Sequence, residues 1–386
     1  MKAGFGILVV AVGWLAATLA SAAAAREVPL PANEAIPIVL LVDLSSGQTL
    51  YSRNADRRFV PASVTKAMTA YTAFELLARG RLAPDQRFTF SPSAAEQWQN
   101  TGSTMFLRAG DETPVSNLLR AITTVSANDG SIVLAEGAAG SVETWVAQMN
   151  ANAATLGMRQ SHFGTPNGWP DNARTFTTAR DLVKLGTALV ARHPTLYAEY
   201  FGHRGMVTNG VAQDNHEPLT GRVDGADGIK TGFTRQAGHN VLGSAVRGGR
   251  RLMMVLAGAP EQAIRDNSAR SLMEWGFDNF RSQRLFGKET VIGMARVQNG
   301  AAGTVPLVSQ EPVLVSQSAD GTGKLSLAIR YEGPLRAPIA AGEEVAKLQI
   351  SAPGMEPVLV PLMAGTEVAE AGFFRRISNA FAGLFS

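Results

Sequence analysis

Across 386 residues the chain carries 35 Lys and Arg against 32 Asp and Glu, a formal charge of +3, with 45% hydrophobic and 17% charged residues. That balance excludes a disordered chain, and with no Lys/Arg-rich run there is no concentrated basic face for nucleic acid. Cysteine is absent, which removes disulfides, zinc–thiolate sites and cysteine nucleophiles.

The five histidines, His162, His193, His203, His216 and His239, form no H-E-x-x-H or close pair, so no metal site is expected. At about 100–200 residues per domain, two folded domains are expected. Residues 1–25 open with Lys2, continue through an apolar stretch from Gly6 to Leu19 and end in small residues at Ala20-Ser21-Ala22 and Ala23-Ala24-Ala25. That is the form of a cleaved secretory signal peptide. The apolar run is short for a membrane span of about 20 residues.

Pro37 to Asp43 reads as a buried strand, Ser45-Ser46-Gly47 as a turn and Thr49-Leu50-Tyr51 as the returning strand. Pro61 before and Gly80 after punctuate a helix that contains Ser63, Lys66, Phe74 and Leu77. Val115–Thr123, Gly130–Glu136, Val142–Leu156 and Ala179–Ala191 have helical periodicity. A loop rich in Gly, Pro, Asn and Asp (164–172) separates the last two. Ile229–Phe233, Asn240–Val246 and Arg251–Gly258 read as strands, the last two joined at Gly248-Gly249, and Asn267–Asn279 as a closing helix. Two strands, then helices, then three strands assemble most simply as one antiparallel sheet flanked by helices, an α+β fold.

From about Leu285 short segments rich in Val, Thr, Gly and Pro predict a small all-β domain over 285–364. Over 365–386, Phe373, Phe374, Ile377, Ala380, Phe381, Leu384 and Phe385 share one arc of a helical wheel, with Arg375 and Arg376 opposite. Such a helix suits a membrane interface, or else docking on its own protein or on a second copy in a homodimer.

Three short motifs carry the chemistry. Ser63 and Lys66 lie i,i+3 at a helix start, where side chains share a face and free N–H groups face an incoming oxyanion. A lysine there can take the serine proton if a second cation holds its pKa down. The simpler reading is an N-capping serine beside a solvated lysine. Ser126-Ala127-Asn128 is an S-x-N that alone reads as a helix cap, and Ser52-Arg53-Asn54 repeats the pattern in a polar turn. Lys230-Thr231-Gly232 is the one K-T-G in the chain. A glycine on that strand lets a ligand backbone approach, with Lys and Thr to meet a carboxylate.

S-x-x-K, then S-x-N 63 residues on, then K-T-G 104 residues further is a joint event on helix, loop and strand. The arrangement resembles the penicillin-recognising serine enzymes. With Asn54-Ala55-Asp56, Pro61-Ala62-Ser63-Val64-Thr65-Lys66, Ser126-Ala127-Asn128-Asp129 and Asp227-Gly228-Ile229-Lys230-Thr231-Gly232-Phe233-Thr234 it is similar to the low-molecular-mass D-alanyl-D-alanine carboxypeptidases, serine peptidase family S11.

That resemblance implies a D,D-peptidase catalytic domain over 26–284. Ser63 would be the nucleophile, Lys66 the general base and Ser126 the relay of a proton to the leaving amine. Asn128, Lys230, Thr231, Gly232, Phe233 and Arg265 would bind substrate, with the N–H groups of Ser63 and Phe233 as the oxyanion hole. Where some members have another arginine upstream of K-T-G, this chain offers His216.

It also implies a periplasmic enzyme, peripherally attached to the inner membrane, that removes the terminal D-Ala from peptidoglycan pentapeptide. β-Lactams would acylate it, and no metal or organic cofactor is implied. The alternative within the superfamily is a D,D-endopeptidase cutting crosslinks. A class A-like β-lactamase would carry a Glu-x-x-x-Asn element, but Glu143 is followed at i+4 by Ala147 and Glu199 by His203.

Overall fold

Residues 32–321 and 324–372 are described by the structure, a computed structural model. The leader expected over 1–25 and the aromatic arc from Phe373 onward lie outside them. One unit runs to Leu44 and from Thr49 to Asp278; the other holds Ser45–Gln48 and the chain from Asn279.

In the first unit, β1 (Ile38–Asp43) and β2 (Gln48–Arg53) precede a 3-10 turn at Ala62–Thr65 and helix α1 (Lys66–Ala78). Short strands β3 (Arg87–Thr89) and β4 (Glu112–Pro114) flank α2 (Pro92–Trp98). Then come α3 (Val115–Thr124), α4 (Asn128–Ala139), α5 (Val142–Thr155), α6 (Ala179–Arg192) and α7 (Pro194–Tyr200). The hairpin β5 (Gly205–Thr208) and β6 (Val211–Asp214) leads into β7 (Ala226–Thr234), β8 (Gly238–Arg247) and β9 (Arg250–Ala259), and α8 (Gln262–Asn279) closes the unit.

The sheet order is β2-β1-β9-β8-β7, so strands from the two ends of this stretch meet in the middle, with Leu40 opposite Val255. All six residues of β1 are buried, as a central strand covered on both faces requires. On one face Gly186 of α6 lies against Met253 and Ile229; on the other Gly276 of α8 lies against Leu41 and Leu252. In both places the missing side chain lets helix and sheet close up. α1 is buried on nearly every side, from Lys66 to Phe74, because small and apolar residues surround its whole circumference.

Several elements went unread in the sequence, α2, α7 and the β5–β6 hairpin among them. α2 and α7 have seven residues each, too few to display a 3.6 period, although α2 has a local signal in the Ser91 cap that accepts from Ala94 N at 3.1 Å. The β5–β6 hairpin turns at Asn209-Gly210, both at positive φ (46° and 78°), the pairing that a two-residue hairpin turn demands. α8 also begins at Gln262 rather than Asn267, which brings Arg265 onto the helix.

The second unit is all β. β10 (Phe280–Phe286) pairs with β13 (Val313–Ser318), and six strands order as β14-β16-β17-β12-β11-β15. These are β11 (Val291–Gln298), β12 (Thr304–Val308), β14 (Ser326–Arg330), β15 (Leu335–Arg336), β16 (Glu344–Ser351) and β17 (Val358–Ala364). Ala346, Leu348 and Ile350 alternate into its core beside Val305, Leu307 and Leu362.

Two expected boundaries move. Helix α8 ends at Asn279 and β10 starts at Phe280, so the division falls after residue 278, not 284, with no linker whose composition could announce it. Residues 365–372 do not open a helix: Ile339 bridges Val368, Gly300 bridges Glu370, and Val368 and Ala371 are buried against the β unit. Among the described residues no helix is long and apolar enough to cross a membrane.

Candidate active site

Ser63 sits in the 3-10 turn, and Lys66 is the first residue of α1. A 3-10 helix has three residues per turn, so i and i+3 eclipse and these two side chains are brought into register. Lys66 is fully buried, and its Nζ lies within hydrogen-bond distance of Ser63 Oγ (2.9 Å), Asn128 Oδ1 (2.8 Å) and the Asn167 carbonyl (2.7 Å). Ser63 is no cap: no side chain caps this helix start. Burial of the Lys66 amine, and next the nearby charge of Lys230, hold its pKa well below the ordinary lysine value, against an opposing pull from Asp129. Desolvation in so dry a place penalises the ammonium and pulls the equilibrium toward the neutral amine.

The second motif lies between α3 and α4. Ser126 is buried and holds a left-handed backbone (φ 65°), uncommon for a residue with a Cβ. It is not the cap of α4, whose N-cap position is Ala127. Asn128 is anchored from its own side, its Nδ2 donating to the Thr101 carbonyl at 3.0 Å and its N–H to the Ser103 carbonyl at 2.8 Å. Fully buried Asp129 fastens the same loop, accepting from Thr104 Oγ1, Met105 N (3.0 Å), Leu107 N (3.1 Å) and Gly130 N (2.8 Å). A Cβ on Gly102 would stand 2.7 Å from Asn128 Nδ2, so only glycine leaves room there.

The third motif is on β7, the edge strand beside the turn. A Cβ on Gly232 would meet the Pro61 carbonyl at 2.4 Å and Ser63 N at 2.9 Å. The glycine therefore lets the strand lie directly against the Ser63 backbone. Lys230 is buried, not solvated like an ordinary edge lysine, and donates to the Thr231 carbonyl at 3.0 Å. Burial and the neighbouring Arg265 lower its pKa to about 7, with Glu217 opposing. Glu217, pushed up by burial, accepts from Leu219 N (2.9 Å), Thr220 N (2.7 Å) and Thr220 Oγ1 (2.6 Å). Arg265 is buried on α8, bonded to Asp266 through Nε at 2.7 Å and to the His216 carbonyl through Nη2 at 3.3 Å.

Ser63, Ser126, Asn128, Thr231, Gly232, Phe233 and Arg265 line one cleft of about 450 Å³, with Lys66 and Lys230 buried behind its surface. His216, Asn167, Trp169 and His239 line it too. The last three were not legible as site residues. Asn167 acts through its main-chain carbonyl, which any residue type supplies, and His239 stacks under Phe233 at 4.1 Å because β7 and β8 pair in that register. A larger cavity of about 680 Å³, bordered by Arg87, Asn117, Arg120 and Glu199, contains none of the motif residues.

A helix-flanked antiparallel sheet with a serine and a buried lysine on its first long helix, S-x-N on a facing loop and K-T-G on the edge strand defines a penicillin-recognising serine enzyme. A family model described as D-alanyl-D-alanine carboxypeptidase (peptidase S11) matches residues 24–261, and one described as the C-terminal domain of penicillin-binding protein 5 matches 280–370. The chain is 30% identical to D-alanyl-D-alanine carboxypeptidase DacA of Haemophilus influenzae over 357 residues, 90% of either chain. It is 32% identical to DacC of Escherichia coli over 360 residues, 92% of this chain and 89% of that one. The structure of penicillin-binding protein 5 from Haemophilus influenzae superposes with a TM-score of 0.77 at 28% identity, covering 90% of this chain and all of that one. The chain belongs to the D-alanyl-D-alanine carboxypeptidase family, serine peptidases of the cell wall.

Proposed function

We propose that this carboxypeptidase removes the terminal D-Ala of peptidoglycan pentapeptide through an acyl-enzyme on Ser63. The observation that carries the reading is the three-way setting of Lys66 Nζ among Ser63 Oγ, Asn128 Oδ1 and the Asn167 carbonyl. A neutral amine has two N–H bonds and one lone pair. Asn128 Oδ1 and the Asn167 carbonyl can only accept, so they take the two N–H bonds and turn the lone pair toward the serine hydroxyl.

Ser63 Oγ then attacks the carbonyl carbon of the penultimate D-Ala as its proton passes to Lys66. The N–H groups of Ser63 and Phe233 receive the developing oxyanion; one such donor is worth about 3–4 kcal/mol. The proximity of Gly232 to Ser63 N supports this pairing. On collapse the C–N bond breaks and the leaving amine of D-Ala takes a proton through Ser126. Water next adds to the Ser63 ester, releasing the shortened stem and restoring the hydroxyl. Thr231 and Arg265, with the Lys230 charge behind, bind the terminal carboxylate, and Asn128 also holds the peptide backbone. A β-lactam resembles the D-Ala-D-Ala end and acylates Ser63 by the same attack.

We further infer a periplasmic enzyme held at the inner membrane. The support is the signal-peptide pattern of residues 1–25 and the aromatic arc from Phe373 to Phe385, with Arg375 and Arg376 opposite.

The test is D-Ala release from a pentapeptide ending in D-Ala-D-Ala, using protein from Arg26 onward with Ser63→Ala as control. Steady release that vanishes in the variant is expected. No release from folded wild-type protein would overturn the reading, and release only from crosslinked dimeric muropeptides would make it an endopeptidase.

A further inference from the structure

We propose that Trp169 determines specificity for the residue preceding D-Ala-D-Ala, its indole being the platform for a methylene-rich side chain at that position of the stem. This rests on the carboxypeptidase reading above and names a further part of its substrate.

Trp169 is 38% exposed although it lines the cleft, so a large apolar face is turned to water at the site's mouth. Its mounting is rigid. The buried Trp98 meets it edge-on at 5.6 Å, and the main-chain N–H of Trp169 donates to Asn167 Oδ1 at 3.0 Å. Gly168, at φ 74°, packs so close to the turn that a Cβ would stand 1.9 Å from the Ala62 carbonyl. Gly102 leaves the indole its space, a Cβ there lying 3.0 Å from Trp169 Cζ3. A fixed, half-exposed aromatic loses little freedom on binding, which suits a recognition surface.

Position gives the ligand. The cations gather at one end of the cleft, where Arg265 is bonded to His216 and stands near Lys230. A terminal carboxylate belongs at that end. Ser103, Asn128 and Trp169 make up an uncharged part of the lining, joined by the Asn128 N–H on the Ser103 carbonyl and by Gly102, where a Cβ would meet both Asn128 and Trp169, and this offers a path to the acyl part that stays on Ser63. The first long side chain on that path is that of the residue before D-Ala-D-Ala.

The test compares kcat and KM on N-acetyl-lysyl-D-Ala-D-Ala and N-acetyl-glycyl-D-Ala-D-Ala for wild type, Trp169→Ala and Trp169→Phe. Wild type is expected to prefer the lysyl peptide. Trp169→Ala should lose about tenfold in kcat/KM on it, mostly through KM, and less than about twofold on the glycyl peptide; Trp169→Phe should keep most of the preference. Acylation by 6-aminopenicillanic acid, which has no side chain to place, should fall by less than hydrolysis of the lysyl peptide does in Trp169→Ala.

Equal losses on the two peptides, or no preference in wild type, would overturn the proposal. Wild type that hydrolyses neither peptide would instead remove the carboxypeptidase reading. If Trp169→Ala fails to fold, Ser63→Ala protein decides the matter by its tryptophan fluorescence. Quenching stronger with the lysyl than with the glycyl peptide is expected, and identical quenching contradicts the proposal.

Discussion

The two units bury different things. In the β unit the buried apolar residues are Val, Leu, Ile and Ala, and among its described residues the buried polar side chains are all uncharged: Ser46, Gln48, Ser309 and Ser316. The catalytic unit buries ionisable side chains, among them Asp43 and Asp181, paired with Arg250 and Lys184, and Lys66, Asp129, Glu217, Lys230 and Arg265, in or around the three motifs. Apolar burial stabilises at about 25 cal/mol per Å². A buried charge must instead be neutralised, bonded or opposed, and here each of these is. The contrast separates what holds the chain together from what gives it chemistry, because the lowered amines of Lys66 and Lys230 serve reactivity more than stability.

Substitutions can break that contrast at either end. The largest effect expected is from Lys66→Met, which keeps the length but removes the base. Acylation by a β-lactam, followed by stopped-flow, should fall by on the order of 10³-fold or more. The melting free energy should change by less than about 1 kcal/mol, because losing the amine's desolvation offsets orphaning two carbonyl acceptors.

Gly232→Ala comes next. Its Cβ cannot be accommodated against Pro61 and Ser63, so β7 must shift, and a displacement of about 1 Å at a reacting centre costs on the order of 10²-fold in kcat/KM.

Asn128→Asp puts a carboxylate where an amide oxygen now lies 2.8 Å from Nζ. An opposite charge favours the ammonium and raises the Lys66 pKa by about 1–3 units. Acylation at neutral pH should fall and recover in alkali, a rescue that a packing defect would not show.

Leu348→Ala tests the other region. It should destabilise the β unit by about 2–5 kcal/mol in chemical denaturation while leaving kcat/KM within about twofold of wild type. A comparable loss of activity would mean that the two regions are not separable in function.

Some of this was legible before any coordinates. The β1 run Ile38–Asp43, the helix after Pro61 and the K-T-G strand follow from apolar runs and punctuation, and motif order pointed to the chemistry. Other features have no residue signature. The third partner of Lys66 is a carbonyl contributed by an otherwise unremarkable loop residue, Asn167. Asp129 looks like a first-turn helix acid, yet it works as a clamp on residues 104–107. Strand β16 alternates inward at Ala346, Leu348 and Ile350 and was readable by its period of two, but Lys347 and Gln349 broke the apolar texture that drew attention elsewhere in that unit. Helices of seven residues are too short for periodicity to reveal.

The most direct measurement is the pH dependence of Ser63 acylation by a β-lactam, from about pH 5 to 11. Burial and the Lys230 charge both lower the Lys66 pKa, so the base is freed at a pH well below that at which an ordinary lysine deprotonates. The acylation rate should have completed its rise with pH before the ordinary lysine range near 10.4. A rate that is low at pH 7 and climbs only through pH 10 would mean that Lys66 is a charged lysine in the resting enzyme, and the mechanism built on its lone pair would fall.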